Sequence, residues 1–237
     1  MGEAKGLPVI SLFSGAGGLD IGFRNAGFRI AVAVEQDGAC CETLRANVPD
    51  LPVLCKDVRE VCGAEILAVA GLEVGEAALV IGGPPCQSFS MAGMRRGLDD
   101  ERGRLLFEFV RIVRETLPKG FVLENVKGLT NWDGGRALEL LVRELERPVD
   151  YDGKEFHYCV APPQVLNAVD YGVPQQRERL FVVGNRLGKG YAYPSPRKEA
   201  YRTVWDAIGE LPEPSEPSEQ AKRVAGCIPD RIKKHGY

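Results

Sequence analysis

Pro8-Val9-Ile10-Ser11-Leu12-Phe13-Ser14-Gly15-Ala16-Gly17-Gly18-Leu19-Asp20 joins an apolar run to a glycine-rich turn. Pro8 to Phe13 has the length and branching of a buried first strand. An amphipathic helix comes next, to about Ala26, and is closed by Gly27. Strand, glycine turn and helix N-terminus together make a nucleotide-type cradle, because glycines let a ligand approach the backbone closely. The pattern is G-x-G-G, not G-x-G-x-x-G, and no Lys-Ser/Thr pair comes after it, which excludes a P-loop. Glycine-rich strand–helix turns also arise for purely steric reasons, so the next two strands have to carry the ligand argument. Phe28 to Val34 reads as the second strand and ends in Glu35, about twenty residues past the glycines, where a ribose diol is held. A carboxylate there disfavours a phosphorylated ribose. A third short strand, Pro52 to Cys55, leads to Asp57, which can accept from an adenine amino group. The expectation is an α/β fold with helices on both faces of its sheet, binding adenosine without a phosphate. That points to S-adenosylmethionine over a dinucleotide.

A second strand–turn unit lies at Ala77 to Ser90. The apolar run Ala77-Ala78-Leu79-Val80-Ile81 is stopped by Gly82-Gly83-Pro84-Pro85, which stiffens the backbone just before Cys86-Gln87-Ser88-Phe89-Ser90. A cysteine at the carboxyl end of a buried strand stands where open α/β sheets place their ligands. Most free cysteines are small buried apolar residues. That reading suits Cys40, Cys41, Cys55, Cys62, Cys159 and Cys227, but Pro-Pro before Cys86 and Gln-Ser after it do not resemble core packing. Cys86 is therefore assigned as a nucleophile. The next segment, Met91 to Arg102, holds Gly93, Arg95, Arg96, Gly97, Asp99 and Asp100 and few periodic apolar residues. It suits a mobile active-site loop touching phosphates and equally a solvated connector.

Phe121-Val122-Leu123 forms a later strand ending in Glu124-Asn125-Val126. A carboxyl sheltered at such a strand tip has a raised pKa and can give a proton or a hydrogen bond to a ring nitrogen. A lone Glu there would be read as a rim carboxylate paired with an arginine; beside Cys86 the functional reading wins. Gln175-Gln176-Arg177-Glu178-Arg179 precedes the last clear strand, Leu180 to Gly184. Two arginines spaced to point the same way can grip a carbonyl or a phosphate, or simply form surface ion pairs.

Structural elements fill the rest. Asp37 to Val48, Val61 to Val69, Gly103 to Leu117 and Arg136 to Arg147 read as helices, with Asp37 a cap; Tyr158 to Ala168 reads as strand-like, and His157 as a strand-edge or core residue. Thr203-Val204-Trp205-Asp206 has a capping pattern. Residues 1–209 form the expected catalytic domain. Residues 210–237 hold a Pro/Ser/Glu tract, which reads as linker, and a weakly basic tail. Charged residues are 27% and the formal net charge is −3, so any nucleic-acid contact must come from local basic clusters or another chain. No apolar run approaches the roughly 18 residues of a membrane span, and seven cysteines without a C-x-x-C pair indicate neither a disulfide framework nor a metal site. A reducing, cytoplasmic setting is expected.

With those motifs in place the chain resembles the catalytic part of a DNA (cytosine-5) methyltransferase of the bacterial restriction–modification type. The resemblance runs from about Pro8 to Gly184 and rests on Phe13-Ser14-Gly15-Ala16-Gly17-Gly18, Gly83-Pro84-Pro85-Cys86-Gln87-Ser88, Glu124-Asn125-Val126 and Gln175-Gln176-Arg177-Glu178-Arg179, in the family's order. It implies a mostly parallel sheet with one strand reversed near the end. It implies that Cys86 attacks C6 of a cytosine swung out of the duplex, since the ring cannot be reached inside the stack. Glu124 would bind and protonate N3, Arg179 would hold O2, and Arg177 would help position the base or the loop. Phe13, Gly15, Gly17, Gly18, Leu19, Glu35, Asp57, Val58 and Pro84 would hold S-adenosylmethionine, leaving S-adenosylhomocysteine as product. Gln87, Ser88, Ser90, Arg95 and Arg96 would contact double-stranded DNA.

Family members continue into a target-recognition domain and return with a last helix bearing an Asn-containing motif, and neither is visible here. The chain therefore looks like the larger piece of a split enzyme, inactive or nearly so without a second polypeptide. Three rivals share its motifs: a transfer-RNA cytosine-5 methyltransferase, a non-catalytic regulatory subunit, and a truncated remnant. Cys86 and Glu124 are both present, which weighs against the regulatory subunit.

Overall fold

The structure is a computed structural model and describes residues 6–85, 101–197 and 200–211, the side chains of 101–103 excepted. One sheet organises it, built from β1 (Pro8–Leu12), β2 (Arg29–Glu35), β3 (Val53–Cys55), β4 (Leu79–Gly82), β5 (Gly120–Val126), β8 (Cys159–Val160), β9 (Gln164–Asn167) and β10 (Glu178–Asn185). Their order is β3-β2-β1-β4-β5-β10-β8, with β9 also paired to β10. β1 to β5 are parallel; β10 runs antiparallel to β5, and β8 and β9 pair antiparallel to β10. The mostly parallel sheet with one reversed strand near its end is thus observed. A small separate hairpin, β6 (Val149–Tyr151) and β7 (Lys154–Phe156), has no counterpart in the sequence reading. It is three residues per strand and half exposed, too short to show a period.

The helices are α1 (Gly18–Asn25), α2 (Gly38–Asn47), α3 (Gly63–Ala70), α4 (Glu101–Thr116), α5 (Arg136–Glu146) and α6 (Val204–Ile208). Asp37 caps α2 by accepting from the Cys40 amide, and Thr203 with Asp206 forms a capping box on α6, both as the sequence predicts. The larger core lies between one sheet face and α3, α4 and α5, with Phe109, Phe121, Leu123, Leu141 and Val182 fully buried. Phe121 meets Phe109 edge-on at 6.3 Å and Tyr158 at 5.5 Å. The smaller core lies on the opposite face, where Val9, Ala33 and Ile81 pack under Leu44 of α2 and Leu19 and Phe23 of α1. Parallel strands need cover on both faces, and the apolar runs of β1, β2 and β4 report that burial directly.

Two boundaries differ from expectation in ways that matter. β5 extends through Val126, so Glu124 and Asn125 are ladder residues held by β10 rather than residues past a strand tip. Tyr158 to Ala168 is not one strand but β8 and β9, separated by Ala161-Pro162-Pro163, whose prolines cannot donate to a ladder. His157 is exposed beside Glu155, with Nε2 2.8 Å from Oε1, so it belongs neither to the core nor to the site.

Candidate active site

The carboxyl ends of β1, β2, β4 and β5 converge on two cavities that share Phe13 and Gly83. The turn after β1 makes this possible. Phe13, Gly15 and Gly17 all have left-handed backbone, with φ of 53°, 54° and 89°. Two of those three positions are glycine because an L side chain is strained there. Phe13 bears that strain, and it lines both cavities, a common pairing of strain with function. The Ser14 amide donates to the Val34 carbonyl (3.3 Å), tying the turn to β2.

The smaller cavity, of 170 Å³, is lined by Phe13, Glu35, Asp57, Val58, Pro85 and Leu105 among others. Glu35 bridges two backbones: its carboxylate accepts from the Gly15 amide (2.8 Å) and from the Asp37 amide (2.8 Å). The predicted ribose acid is therefore fixed by the glycine turn it serves. Asp57 caps the 3-10 turn Val58–Glu60 and accepts from Arg59 (2.6 Å), and those hydrogen bonds hold its carboxyl below the usual range. A Cβ on Gly18 would meet nothing within 4 Å, so the cradle beside it is open. Two carboxylates, a bare turn and an aromatic wall fit a cationic adenosyl ligand such as S-adenosylmethionine and repel a phosphate. Pro84 does not line this wall; it is buried, and Pro85 takes the position expected of it.

The larger cavity, of 650 Å³, is lined by Ser11, Phe13, Ser14, Gly18, Leu19 and Gly83 on one side and by Glu124, Leu166, Tyr171, Val173, Arg177 and Arg179 on the other. Arg179 Nε lies 2.9 Å from Glu124 Oε1. Each side chain is about a quarter exposed, 24% and 25%, so the expected shelter for Glu124 is incomplete. Its carboxylate is at once paired and open to the cavity. Glu124 thus has its arginine, and the pair faces the cavity. Arg177 is exposed and lines the same space, its amide donating to Asn167 Oδ1 (2.9 Å).

Cys86, Gln87, Ser88, Ser90, Arg95 and Arg96 lie outside the described residues. Pro84 and Pro85, immediately before Cys86, are described, and the contact that holds them was missed by the sequence reading. Asn125, 3% exposed, donates from Nδ2 to the Pro84 carbonyl (3.1 Å) while its Oδ1 accepts from the Val126 amide. A buried amide is kept only where it is satisfied. An Asn on the same strand face as Leu123, two residues after it, was the available signal. Tyr171 and Val173, read only as parts of a turn, also line the larger cavity.

Beneath the glycine turn, Ser11 Oγ donates to Asp20 Oδ1 (2.5 Å) and lies 2.9 Å from Ser14 Oγ. Asp20 is 3% exposed, and among the described residues its Oδ2 has no partner. Burial raises its pKa, opposed by the Ser11 hydrogen bond and the nearby Arg24. Below an ordinary aspartate pKa of about 4, folded and unfolded chains are both protonated and the full stability is present. As pH rises from there to the raised folded value, the unfolded chain loses its proton first, so this group's contribution falls. Asp20→Asn is expected to raise the urea midpoint at pH 7 and to flatten the fall in that window, measured by unfolding between pH 3.5 and 8.

A family model described as C-5 cytosine-specific DNA methylase matches residues 7–235. The Type II methyltransferase M.AquIA of Picosynechococcus sp. is 54% identical over 245 residues, covering 97% of this chain and 98% of its own length. The Type II methyltransferase M.XorII of Xanthomonas oryzae pv. oryzae is 43% identical over 86% of this chain, a match spanning only 46% of that protein. A solved structure described as a DNA modification methyltransferase encoded within an E. coli prophage superposes with a TM-score of 0.72 at 31% identity, over 88% of this chain and 56% of that one. The chain thus spans nearly all of one relative and about half of the other two.

Proposed function

The chain belongs to the C-5 cytosine-specific DNA methylase family, and from that premise we propose that it methylates C5 of a cytosine held out of the DNA duplex, through a covalent bond from Cys86 to C6. The observation that carries this reading is the Glu124–Arg179 pair facing the larger cavity, next to the Pro84-Pro85 turn that leads into Cys86. Phe13, Gly18, Glu35, Asp57 and Val58 hold S-adenosylmethionine, which supplies an electrophilic methyl group. Arg179 donates to the cytosine O2 and shares its guanidinium with Glu124, which delivers a proton to N3. The Cys86 sulfur then adds to C6, and the electron pair displaced from the C5–C6 double bond makes C5 nucleophilic. After methylation, loss of the C5 proton to a base restores the double bond, the C6–sulfur bond breaks to return Cys86, and N3 gives its proton back to Glu124. Phe13, which lines both cavities, packs beside the adenosine end and the base and helps keep water from the reacting atoms.

Target recognition is assigned to a second polypeptide. More than half of M.XorII lies outside the match, whereas M.AquIA, also a Type II methyltransferase, is spanned almost completely. The test uses this chain with and without the polypeptide of the adjacent reading frame, tritiated S-adenosylmethionine and plasmid DNA. The product should be 5-methylcytosine at one short sequence and only with both chains. Label on an exocyclic amine, or label only in RNA, would overturn the proposal.

A further inference from the structure

Asp57 and Val58, which line the smaller cavity, begin a short segment that runs to the start of α3 at Gly63. Only the 3-10 turn Val58–Glu60 gives this segment regular structure, so its backbone has to be held from outside. The holder is α4. Arg111 donates from Nη2 to the carbonyls of Val58 (2.8 Å) and Val61 (2.9 Å). Its other two nitrogens are anchored on its own helix: Nε donates to Glu108 Oε2 (2.7 Å) and Nη1 to both oxygens of Glu115 (3.0 Å each). Glu115 Oε2 in turn accepts from the Gly63 amide (2.5 Å), at a helix start whose N-cap residue, Cys62, gives no side-chain cap. One Arg–Glu pair of α4 therefore grips three backbone groups, at residues 58, 61 and 63. A planar guanidinium with donors on all three nitrogens can do this, and a lysine ammonium cannot. The same helix supplies Leu105, which also lines the smaller cavity.

We propose that Arg111 is a positioning residue for the cofactor. It fixes the Asp57–Val58 wall of the smaller cavity against α4 and so sets the affinity for the adenosyl end of S-adenosylmethionine, although it lines neither cavity itself. The inference deepens the reading of that cavity given above and rests on it. Asp57 is the N-cap of the gripped turn, its carboxylate accepting from the Arg59 amide (2.9 Å), so a shift of the Val58 carbonyl passes directly to that carboxylate. Leu105 and Arg111 stand on one rigid helix, so the grip also fixes the spacing between the wall that α4 lines and the wall that the turn lines. Arg114 provides an internal comparison on the same helix. It too donates to two backbone carbonyls, those of Arg147 (2.8 Å) and Pro148 (3.0 Å), but that link between α5 and β6 lines neither cavity. The two arginines make the same kind of contact, and only one of them makes it at the cofactor wall.

The test titrates the full-length chain with S-adenosylmethionine, S-adenosylhomocysteine and 5′-methylthioadenosine by calorimetry and reads its melting temperature without ligand. Arg111→Lys should raise all three dissociation constants by a common factor of about 10 or more, because the wall it holds meets the adenosyl end that the three share. Glu115→Gln, at an exposed position that does not endanger folding, loosens the anchor of Arg111 and should raise the same constants about threefold. Arg114→Lys should lower the melting temperature about as much as Arg111→Lys and leave the three constants within about twofold. In an Asp57→Ala background, Arg111→Lys should cost less than about threefold more, since the carboxylate it positions is gone. In methylation assays with the adjacent-frame polypeptide and DNA, Arg111→Lys should raise the KM for S-adenosylmethionine and hold kcat within about twofold. Unchanged affinity in both Arg111→Lys and Glu115→Gln, equal losses from Arg111→Lys and Arg114→Lys, a loss that spares 5′-methylthioadenosine, or full additivity with Asp57→Ala would each overturn the positioning role. A native chain that binds none of the three ligands would refute the cofactor assignment itself, and the positioning role with it.

Discussion

Glu124→Gln is expected to lower the single-turnover rate of cytosine methylation by about 10²- to 10⁴-fold. Glutamine keeps the shape of the side chain and an oxygen for Arg179 Nε, which lies 2.9 Å from Glu124 Oε1 in the native protein. It loses the capacity to hand a proton to N3, and without that proton C6 is a weak electrophile. Glu124 lines the larger cavity, whereas the smaller cavity, proposed above to hold the adenosine, is lined by Phe13, Glu35, Asp57 and Val58. The affinity for S-adenosylmethionine, read by calorimetry, should therefore change by less than about twofold, the mark of an interaction used only on the way to the transition state. A variant with native rate would remove Glu124 from the chemistry and leave the carboxylate as a partner for Arg179 only.

The second large effect comes from a single methyl group. A Cβ built on Gly83 would lie 2.9 Å from Glu124 Oε2, and that carboxylate is already held on its other oxygen by Arg179. Gly83→Ala must therefore displace the Glu124 carboxylate or split the pair. A misplacement on the order of 1 Å costs about 10²-fold in rate. Gly82→Ala is the informative control. Its Cβ would meet the Leu12 carbonyl at 2.8 Å and Phe109 at 3.3 Å, backbone and core rather than the Glu124 carboxylate. Gly83→Ala should reduce turnover with little change in the urea midpoint; Gly82→Ala should lower the midpoint first. Equal effects of the two on both readouts would show that Gly83 serves the fold alone.

Much of this site was legible in the residues because parallel strands announce themselves. Val9-Ile10, Ile30 to Val34 and Val80-Ile81 are apolar on consecutive residues, which only a sheet covered on both faces requires, and the residues just past each run then stand by geometry at the ligand edge. Glu35, Asp57 and Glu124 were placed at that edge in this way, whereas Arg179 was read from its spacing to Arg177 ahead of the last strand. Less was legible where one side chain serves another. Asn125 holds the Pro84 carbonyl across two strands, 41 residues apart, and no local pattern reports a partner that distant. Nothing in the sequence around Asp20 announces its burial, yet it lies under the glycine turn with Ser11. The hairpin β6–β7 and the division of β8 from β9 escaped because strands of two to four residues carry no period to read.

The most direct test of the central claim is a covalent trap. A duplex carrying 5-fluorocytosine at the methylated position is incubated with S-adenosylmethionine, this chain and the adjacent-frame polypeptide, and the protein is digested and analysed by mass spectrometry. Fluorine at C5 cannot leave as a proton does, so an enzyme that adds through sulfur stays bonded to C6. The account predicts a stable adduct on the peptide containing Cys86, lost in Cys86→Ala. A methylated but unattached duplex, an adduct at any other cysteine, or an adduct formed only with 5-fluorocytosine in RNA would contradict it.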